Sequence, residues 1–306
     1  MNSTNSSLEV KISYPIVFWS FLAIEVVIIV FGNAMVCWCF YTSKQLRTKQ
    51  SYFVISLILS DIFVGIAVPP CEYCAFKKGI TEKENNSCLI YCGSLISFTI
   101  LASVINLVLI AGDRFFSITL PYKYHAFLSK KRAKKIIASG WILTAILTTT
   151  PFTWQFNTNF SKNLSKKINL IFTISLFSMV MIIGLFISFV YAKIVLVVKQ
   201  KLSGEKARNS AALKVSIMVA ISFFVCWIPT LVVEIMLQSN INLNEYVPLI
   251  SYCILLFNPC LDPIFYAYYR KDIRKEVRRS ISSLTRNSFF EYAQTAKKNF
   301  RSDQNC

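Results

Sequence analysis

Near its carboxyl end the chain has an apolar run from Tyr246 to Tyr268, and within this run it reads Asn258-Pro259-Cys260-Leu261-Asp262-Pro263-Ile264-Phe265-Tyr266. A helix needs about 20 apolar residues to cross the hydrocarbon core of a bilayer, because every backbone amide must be hydrogen-bonded inside the crossing segment. The run meets that length, and it places the carboxylate of Asp262 at membrane depth, where ionisable groups are rare and usually functional. It therefore predicts a membrane-spanning helix that contributes to a functional site.

Six earlier runs have comparable length and few charges: Tyr14 to Tyr41, Tyr52 to Tyr73, Cys88 to Gly112, Ile136 to Trp154, Ile168 to Val198 and Val215 to Leu237. The chain of 306 residues is 55% hydrophobic and only 16% charged, which indicates lipid as its solvent. The predicted fold is all-α, a seven-transmembrane helix bundle at residues 14–268. An extracellular tail (1–13) precedes the bundle, and a short amphipathic helix (269–280) and a disordered cytoplasmic tail (281–306) follow it.

The distribution of charge predicts the orientation of the bundle. Most of the 33 lysines and arginines follow the first, third, fifth and seventh runs, and basic residues accumulate on the cytoplasmic side of membrane helices. The N-terminus is therefore predicted to be outside. N-x-S/T sequons can be glycosylated only on the outer side, and all five fall on the face that charge assigns as external: Asn2, Asn5, Asn85, Asn159 and Asn163.

Other classes of protein fit these features less well. A formal net charge of +18 could indicate nucleic-acid binding, but the basic residues lie at membrane edges, where they attract anionic lipid. We therefore predict no nucleic-acid partner. The sequence has no Gly-rich phosphate loop, no Cys/His cluster and no paired acid and base. We therefore predict that the protein is not an enzyme. An ion-coupled transporter is a remote alternative, because Asp61 and Asp262 could relay ions, but no internal repeat supports it.

Signature residues within the runs narrow the class of membrane protein. Besides the stretch quoted above they are Gly32-Asn33-Ala34-Met35-Val36, Ser56-Leu57-Ile58-Leu59-Ser60-Asp61, Gly112-Asp113-Arg114-Phe115, Trp141 and Phe223-Phe224-Val225-Cys226-Trp227-Ile228-Pro229. From about Tyr14 to Val277 the chain resembles the rhodopsin-like (class A) G-protein-coupled receptors. The resemblance implies a plasma-membrane receptor that transmits the binding of an extracellular small ligand to a heterotrimeric G protein. It also implies arrestin, a receptor kinase and membrane lipid as partners.

Two sets of features point to different branches of this family. The segments Tyr52–Leu57 and Asp61–Gly65 resemble adenosine receptors. Two other features resemble melanocortin, cannabinoid or lysophospholipid receptors. Ile183 stands in place of a mid-helix proline, and the segment from Phe152 to Lys167 contains no cysteine. We predict a receptor near the adenosine and melanocortin type, adenosine-receptor-like by sequence and without an assigned ligand. A cationic trace-amine-like, lipid or peptide ligand is the alternative.

The resemblance also implies a set of switch residues. Arg114 is costly to bury alone, and the neighbouring carboxylate of Asp113 can hold it until the helices separate. Trp227 precedes Pro229, whose missing N–H kinks a helix and can provide a hinge. Asn209 stands near the position of a further acidic partner in related receptors, so we expect elevated basal signalling. The other switch residues that the family implies are Phe223, which packs below Trp227 with Val104 and Ile183, and the tyrosines Tyr191 and Tyr266.

Asp61 lies at mid-membrane with no basic residue in reach by sequence, so it needs polar partners or a bound cation. The resemblance implies that it shares a sodium ion with Ser103, Asn258 and Asp262, since oxygen ligands suit a hard cation. Pro259 occupies a place where a hydroxyl residue is common in the family. A water-filled polar network without sodium is the alternative.

The ligand pocket that the family implies is small and mostly apolar. Its predicted lining is Glu72, Cys92, Ile96, Ser97, Ser175, Trp227, Thr230, Leu231, Glu234 and Tyr252. Ile96 replaces the aspartate of amine receptors, and Glu234 replaces an asparagine of adenosine receptors. Glu72 and Glu234 could bind a cationic ligand through charge-assisted hydrogen bonds, or they could be solvated rim residues. For Cys74 and Cys88 we expect either a disulfide in an oxidising compartment or free thiols.

Overall fold

The structure, a computed structural model, describes residues 16–81, 86–157, 161–201, 211–238, 241, 243–244, 246–269, 271–280 and 282. Within these ranges the regular secondary structure is entirely helical. The long helices are α1 (Ile16–Thr42), α2 (Ser51–Thr81), α3 (Asn86–Thr119), α4 (Lys130–Thr149), α5 (Lys162–Lys201), α6 (Ala211–Gln238) and α7 (Tyr246–Tyr269). Helices α1 to α5 and α7 are long and apolar enough to cross a membrane, and α6 contains the shorter apolar segment Ile221–Leu237. The predicted all-α fold is confirmed.

Several helices extend beyond the apolar runs. Helix α2 continues to Thr81 although the apolar run ends at Tyr73, and α5 begins at Lys162, one and a half turns before Ile168. The reason is that helical hydrogen bonds need no apolar side chains once the chain has left the hydrocarbon core. The predicted tails at 1–13 and 281–306 lie outside the described residues, apart from Ser282.

Shorter helical segments connect or follow the long ones. The loop helix Pro121–Phe127 follows α3 on the cytoplasmic side. Its first residue is a proline, which suits this position because the first backbone N–H of a helix has no partner within the helix. A single turn, Phe152–Gln155, follows α4. Residues 271–280 are also helical, and Ile273 is fully buried against the bundle. That this last helix lies on the membrane surface stays a prediction.

Helix α3 lies at the centre of the bundle. It packs against α2, α4, α5 and α6, while α7 packs against α6 and α1. Large side chains that are almost completely buried fill the interior, among them Phe40, Leu57, Ile58, Leu101, Val104, Ile194 and Phe223. By contrast, Phe31 and Ile182 have exposed fractions of 71% and 66%, as side chains that face lipid do. Because lipid is as apolar as leucine, the helices associate through close packing and interhelical hydrogen bonds.

One such hydrogen bond joins α1 to α7 at a proline. Pro263 has no N–H, so the carbonyl of Pro259, four residues earlier, lacks its helical donor. The side-chain amide of Asn33 donates to this carbonyl at 3.1 Å and to that of Ile29 at 3.0 Å. Gly32 permits the approach, since a Cβ there would lie 3.0 Å from Pro263 Cγ. The Gly32-Asn33 pair therefore fastens α1 to the kinked part of α7.

Helix α1 packs closely against α2 at Gly65, and replacing Gly65 with valine is expected to destabilise the bundle. A Cβ at Gly65 would lie 2.6 Å from Val30 Cγ2 and 3.1 Å from Ile29 Cγ2. Both neighbours are stiff β-branched residues, so the helices must separate, which typically costs about 1–3 kcal/mol. Thermal unfolding of the purified protein measures the effect. Gly93→Val is the control, because a Cβ at Gly93 meets no heavy atom within 4 Å; equal melting temperatures for the two variants would contradict the prediction.

Candidate functional site

Two aspartates form the polar core of the bundle. Asp61 on α2 and Asp262 on α7 have exposed fractions of 0% and 1%, and their carboxyl groups lie beside each other. The hydroxyl of Ser103 on α3 donates to Asp61 Oδ1 at 3.2 Å and also lies 3.2 Å from Ser60 Oγ. The structure thus brings together three of the four residues that the sequence predicted as cation ligands.

The carboxylate oxygens of this core have few donors. Asp61 Oδ2 and both carboxylate oxygens of Asp262 are buried and have no hydrogen-bond partner among the described residues. Two neighbouring carboxylates cannot form a hydrogen bond with each other unless one of them carries a proton. A cation between them would instead neutralise the charge of both. Carboxylate and hydroxyl oxygens suit a hard cation such as sodium. The fourth predicted ligand, Asn258, accepts a 3.5 Å hydrogen bond from Ser222.

A small cavity links the polar core to the predicted ligand pocket. Its volume is about 30 Å³, which is room for about one water molecule. Ser103 and Asn258 line it on the side of the core, and Ile96, Trp227 and Tyr252 line it on the side of the pocket. The floor of the pocket therefore shares one cavity with Ser103, the hydrogen-bond donor to Asp61.

Trp227 is the central side chain of a packed cluster. Its ring stacks on Phe223 with the centroids 5.2 Å apart, and both residues are buried. Val104 is fully buried in the same hydrophobic cluster, and Ile183 packs against it. Trp227 and Phe223 therefore belong to one packed cluster that includes side chains of α3 and α5. The predicted switch tyrosines are buried in this cluster as well: Tyr191 and Tyr266.

At the cytoplasmic end of α3, Arg114 and Asp113 belong to a network of four residues, here called the Arg114 network. Arg114 Nε lies 4.0 Å from Asp113 Oδ2, and Arg114 Nη1 donates to Gln50 Oε1 at 3.1 Å. The hydroxyl of Tyr124 on the loop helix donates to Asp113 Oδ1 at 2.6 Å. The pair was predicted from the sequence, whereas Gln50 and Tyr124 were not. Their only sequence signal is position, since Gln50 directly precedes α2 and Tyr124 follows Asp113 by 11 residues.

The environment of Tyr124 keeps its hydroxyl a donor. Burial, together with the hydrogen bond and charge of Asp113, raises the pKa of Tyr124 above its usual value near 10. A phenol with a raised pKa stays protonated at physiological pH. Tyr124 therefore remains the hydrogen-bond donor to Asp113 at physiological pH.

Comparison with known proteins agrees with this geometry. The profile described as "7 transmembrane receptor (rhodopsin family)" matches residues 32–266. The chain belongs to this receptor family. Adenosine receptor A2a of Canis lupus familiaris is 26% identical, with 87% of this chain and 73% of the relative covered. Adenosine receptor A2b of Gallus gallus is 25% identical (87% and 89% covered), and melatonin receptor type 1C of Xenopus laevis is 28% identical (86% and 67% covered).

Membership of the rhodopsin family confirms the predicted class. The chain is a multi-pass G-protein-coupled receptor of the plasma membrane, near the adenosine branch, and it is not an enzyme. The family implies an extracellular ligand and coupling to a G protein, and it excludes the transporter alternative. The likeness to a melatonin receptor was not predicted from the sequence.

Most of the predicted pocket residues of the receptor are half-buried in the bundle: Glu72, Cys92, Ile96, Ser97, Thr230, Leu231, Glu234 and Tyr252. Glu72 and Tyr252 lie close enough to influence each other electrostatically. The Tyr252 hydroxyl is nevertheless buried without a hydrogen bond of ordinary geometry among the described residues. Ser175 is exposed and its hydroxyl donates to its own helix, so its place in the pocket stays a prediction.

A disulfide joins Cys74 to Cys88 and links the outer ends of α2 and α3. Of the two expectations for these cysteines, the structure confirms the disulfide. The sulfur of Cys92 lies within 4.8 Å of both bonded sulfurs, and Cys71 Sγ lies 3.9 Å from the carbonyl of Cys92. The bridge fixes the rim of α2 and α3 beside the predicted pocket.

Of the predicted glycosylation sites, the structure describes one. Asn163 is exposed in the first turn of α5, as a modified asparagine must be. The sequons at Asn2, Asn5, Asn85 and Asn159 lie outside the described residues, as does Asn209. Glycosylation of the receptor stays a prediction.

Proposed function

We propose that the receptor is held inactive by a sodium ion in the polar core and activated by a small extracellular ligand above Trp227. Asp61, Ser103, Asn258 and Asp262 would hold the ion, which neutralises the two carboxylates when bound. The observation that carries this proposal is the buried aspartate pair, three of whose oxygens have no partner in the described part of the chain. Buried carboxylates without a basic partner destabilise a bundle unless a cation or proton neutralises them.

Agonist and sodium would oppose each other through the cavity below Trp227. Ser103 and Asn258 share that cavity with Trp227, so a ligand that shifts the ring also shifts the walls of the ion site. Thermodynamic linkage then requires that sodium lowers agonist affinity by the factor by which agonist lowers sodium affinity. Trp227, Phe223, Tyr191 and Tyr266 would carry the change towards Arg114.

The chemistry of the outer half favours a ligand with a cationic group over an adenosine-like one. Glu25 on α1 has an exposed fraction of 2%, and neither carboxylate oxygen has a hydrogen-bond partner among the described residues. Cys253 on α7 lies near both Glu25 and Glu72. Together with the buried Tyr252 hydroxyl close to Glu72, these groups form an acidic region between α1, α2 and α7. Glu72 and Tyr252 were predicted as pocket residues from the sequence, whereas Glu25 was not.

The cytoplasmic face would bind the intracellular partners. The loop helix presents Tyr122, with an exposed fraction of 92%, and the loop before it presents Leu120, with 44%. We assign this surface, next to the Arg114 network, to the contact with the G protein. A receptor kinase would modify serines and threonines of the carboxyl-terminal tail, and arrestin would bind the modified receptor. Anionic membrane lipid would attach to the basic residues of the same face.

A ligand-free measurement tests the sodium site. Replacing NaCl by KCl at equal ionic strength is expected to lower the melting temperature of the purified receptor, because a ligand bound only to the folded state stabilises it. At tenfold excess over Kd the stabilisation is about 1.4 kcal/mol. The difference between the two salts should vanish in Asp61→Asn and persist in Glu276→Gln, which removes a carboxylate paired at the surface with Arg279. If the native receptor had the same melting temperature in both salts, sodium binding would be excluded, and the polar core would be a water-filled network without sodium.

A further inference from the structure

A second cavity lies at the cytoplasmic end of the bundle, outside the pocket and the polar core. It is bounded by α2, α3, α4 and the loop helix, and its volume is about 550 Å³. This is within the range of about 300–1,000 Å³ that small-molecule sites occupy. Val108, Leu109, Phe116 and Phe127 give it an apolar lining.

The opening of this cavity faces the membrane near its inner surface. Phe116 and Phe127 at its rim have exposed fractions of 53% and 61%, although they belong to a membrane helix and the adjoining loop helix. An exposed aromatic side chain at the inner end of a membrane helix, as Phe116 is, faces lipid, whereas the Arg132 guanidinium lies over the Phe127 ring at 5.1 Å from its centroid. Acyl chains of the inner leaflet can therefore reach the cavity without passing through water.

Only two charged side chains line the cavity within the described residues, Asp113 and Lys123. The carboxylate of Asp113 is already engaged by Tyr124 and Arg114. Lys123 is exposed at the mouth, where its ammonium group is available to a ligand. The free charge at the mouth is thus positive, and further basic residues follow at the start of α4.

We propose that this cavity binds an anionic phospholipid of the cytoplasmic leaflet, with one acyl chain in the cavity and the headgroup at Lys123. The apolar lining, the opening towards the inner leaflet and the cationic mouth each match a part of such a lipid. The mostly apolar lining favours an acyl chain over a polar ligand.

The bound lipid would stabilise the loop helix. Tyr124 and Asp113 are themselves part of the cavity wall, so an acyl chain packed there supports the hydrogen bond between them. This consequence rests on the proposed role of the Arg114 network, whereas binding itself does not.

Gly112 offers a direct way to fill the cavity. It lines the wall, and a Cβ at this position would meet no heavy atom within 4 Å, so the leucine of Gly112→Leu would enter the space proposed for the acyl chain from an open position. Gly93→Leu is the matched control on the same helix, because its Cβ also meets nothing within 4 Å and it lies outside the cavity. Lys123→Gln removes the charge at the mouth, with Lys271→Gln as its control.

Native mass spectrometry of the detergent-purified receptor, titrated with phosphatidylserine or phosphatidylcholine, measures the binding. The native receptor is expected to retain one phosphatidylserine in preference to phosphatidylcholine. Gly112→Leu should weaken retention about tenfold, and Lys123→Gln should reduce the headgroup preference roughly fivefold, the factor for about one basic residue near an anionic surface. Both controls should behave like the native receptor.

Two results would overturn the proposal. One is a Lys123→Gln receptor with an unchanged headgroup preference, a test that does not depend on the folding of Gly112→Leu because Lys123 is exposed. The other is retention of free palmitate but not of phosphatidylserine, which would assign the cavity to a free acid. Failure of the sodium measurement described above would leave the lipid site untouched.

Discussion

Replacing Asp113 with asparagine is expected to raise agonist-free G-protein signalling about tenfold. The substitution removes the charge that holds Arg114, whose Nε lies 4.0 Å from Asp113 Oδ2. The side chains of Arg114 and Asp113 have exposed fractions of 14% and 2%. A surface ion pair contributes about 0.2–1 kcal/mol, and we expect this partly buried pair to contribute more than that but less than a fully buried pair. A loss of about 1.4 kcal/mol from the inactive state multiplies the ratio of active to inactive receptor by ten.

The measurement is a second-messenger assay in transfected cells without agonist, normalised to receptor at the cell surface. Tyr124→Phe should give a smaller increase, because Asp113 loses the 2.6 Å hydrogen bond but keeps its charge beside Arg114. Glu276→Gln is the control, since it removes an acidic charge from the same face without touching the Arg114 network. If Asp113→Asn and Glu276→Gln gave the same basal signal, the ion pair would have no part in holding the receptor inactive.

Replacing Asn33 with alanine is expected to lower the stability of the receptor by about 2 kcal/mol, or roughly 4–8 °C in melting temperature. The amide of Asn33 is the donor to the carbonyl of Pro259 at 3.1 Å, and Pro263 cannot supply the helical donor. Without Asn33 this buried carbonyl has no partner. An unpartnered buried polar group costs about 1–3 kcal/mol.

A double-mutant cycle isolates this effect. Pro263→Ala supplies an N–H to the carbonyl of Pro259, so in that background Asn33→Ala should cost much less than in the native receptor. Asn106→Ala is the control, because the amide of this buried asparagine donates within its own helix, to Ala102 at 2.9 Å. Additive effects of Asn33→Ala and Pro263→Ala would show that the shared carbonyl is not the reason for the stability of this contact.

The sequence predicted features that depend on one segment at a time. Each of the apolar runs is recognisable alone, because the free energy of placing a helix in lipid is a sum over its own residues. The distribution of lysine and arginine likewise reports orientation without any tertiary contact. The membrane depth of Asp61 and Asp262 was predictable in the same way, whereas the expectation that they share one site came from the family resemblance.

The tertiary structure decided which side chains meet. Arg114 and Gln50 are 64 residues apart, and Asn33 and Pro259 are 226 apart, so neither contact has a local signature. Hydropathy could not have supplied them, because in a membrane protein both the lipid-facing and the core-facing sides of a helix are apolar, and the rotation of each helix about its axis is set by packing. The disulfide between Cys74 and Cys88 was one of two expectations until the distance between α2 and α3 was known. The cavity beside Lys123 depends in the same way on the spaces that α2, α3, α4 and the loop helix leave between them. The sequence therefore determined the number, the order and the direction of the helices. Packing determined the partners of Arg114 and Asn33 and created the cavity beside Lys123.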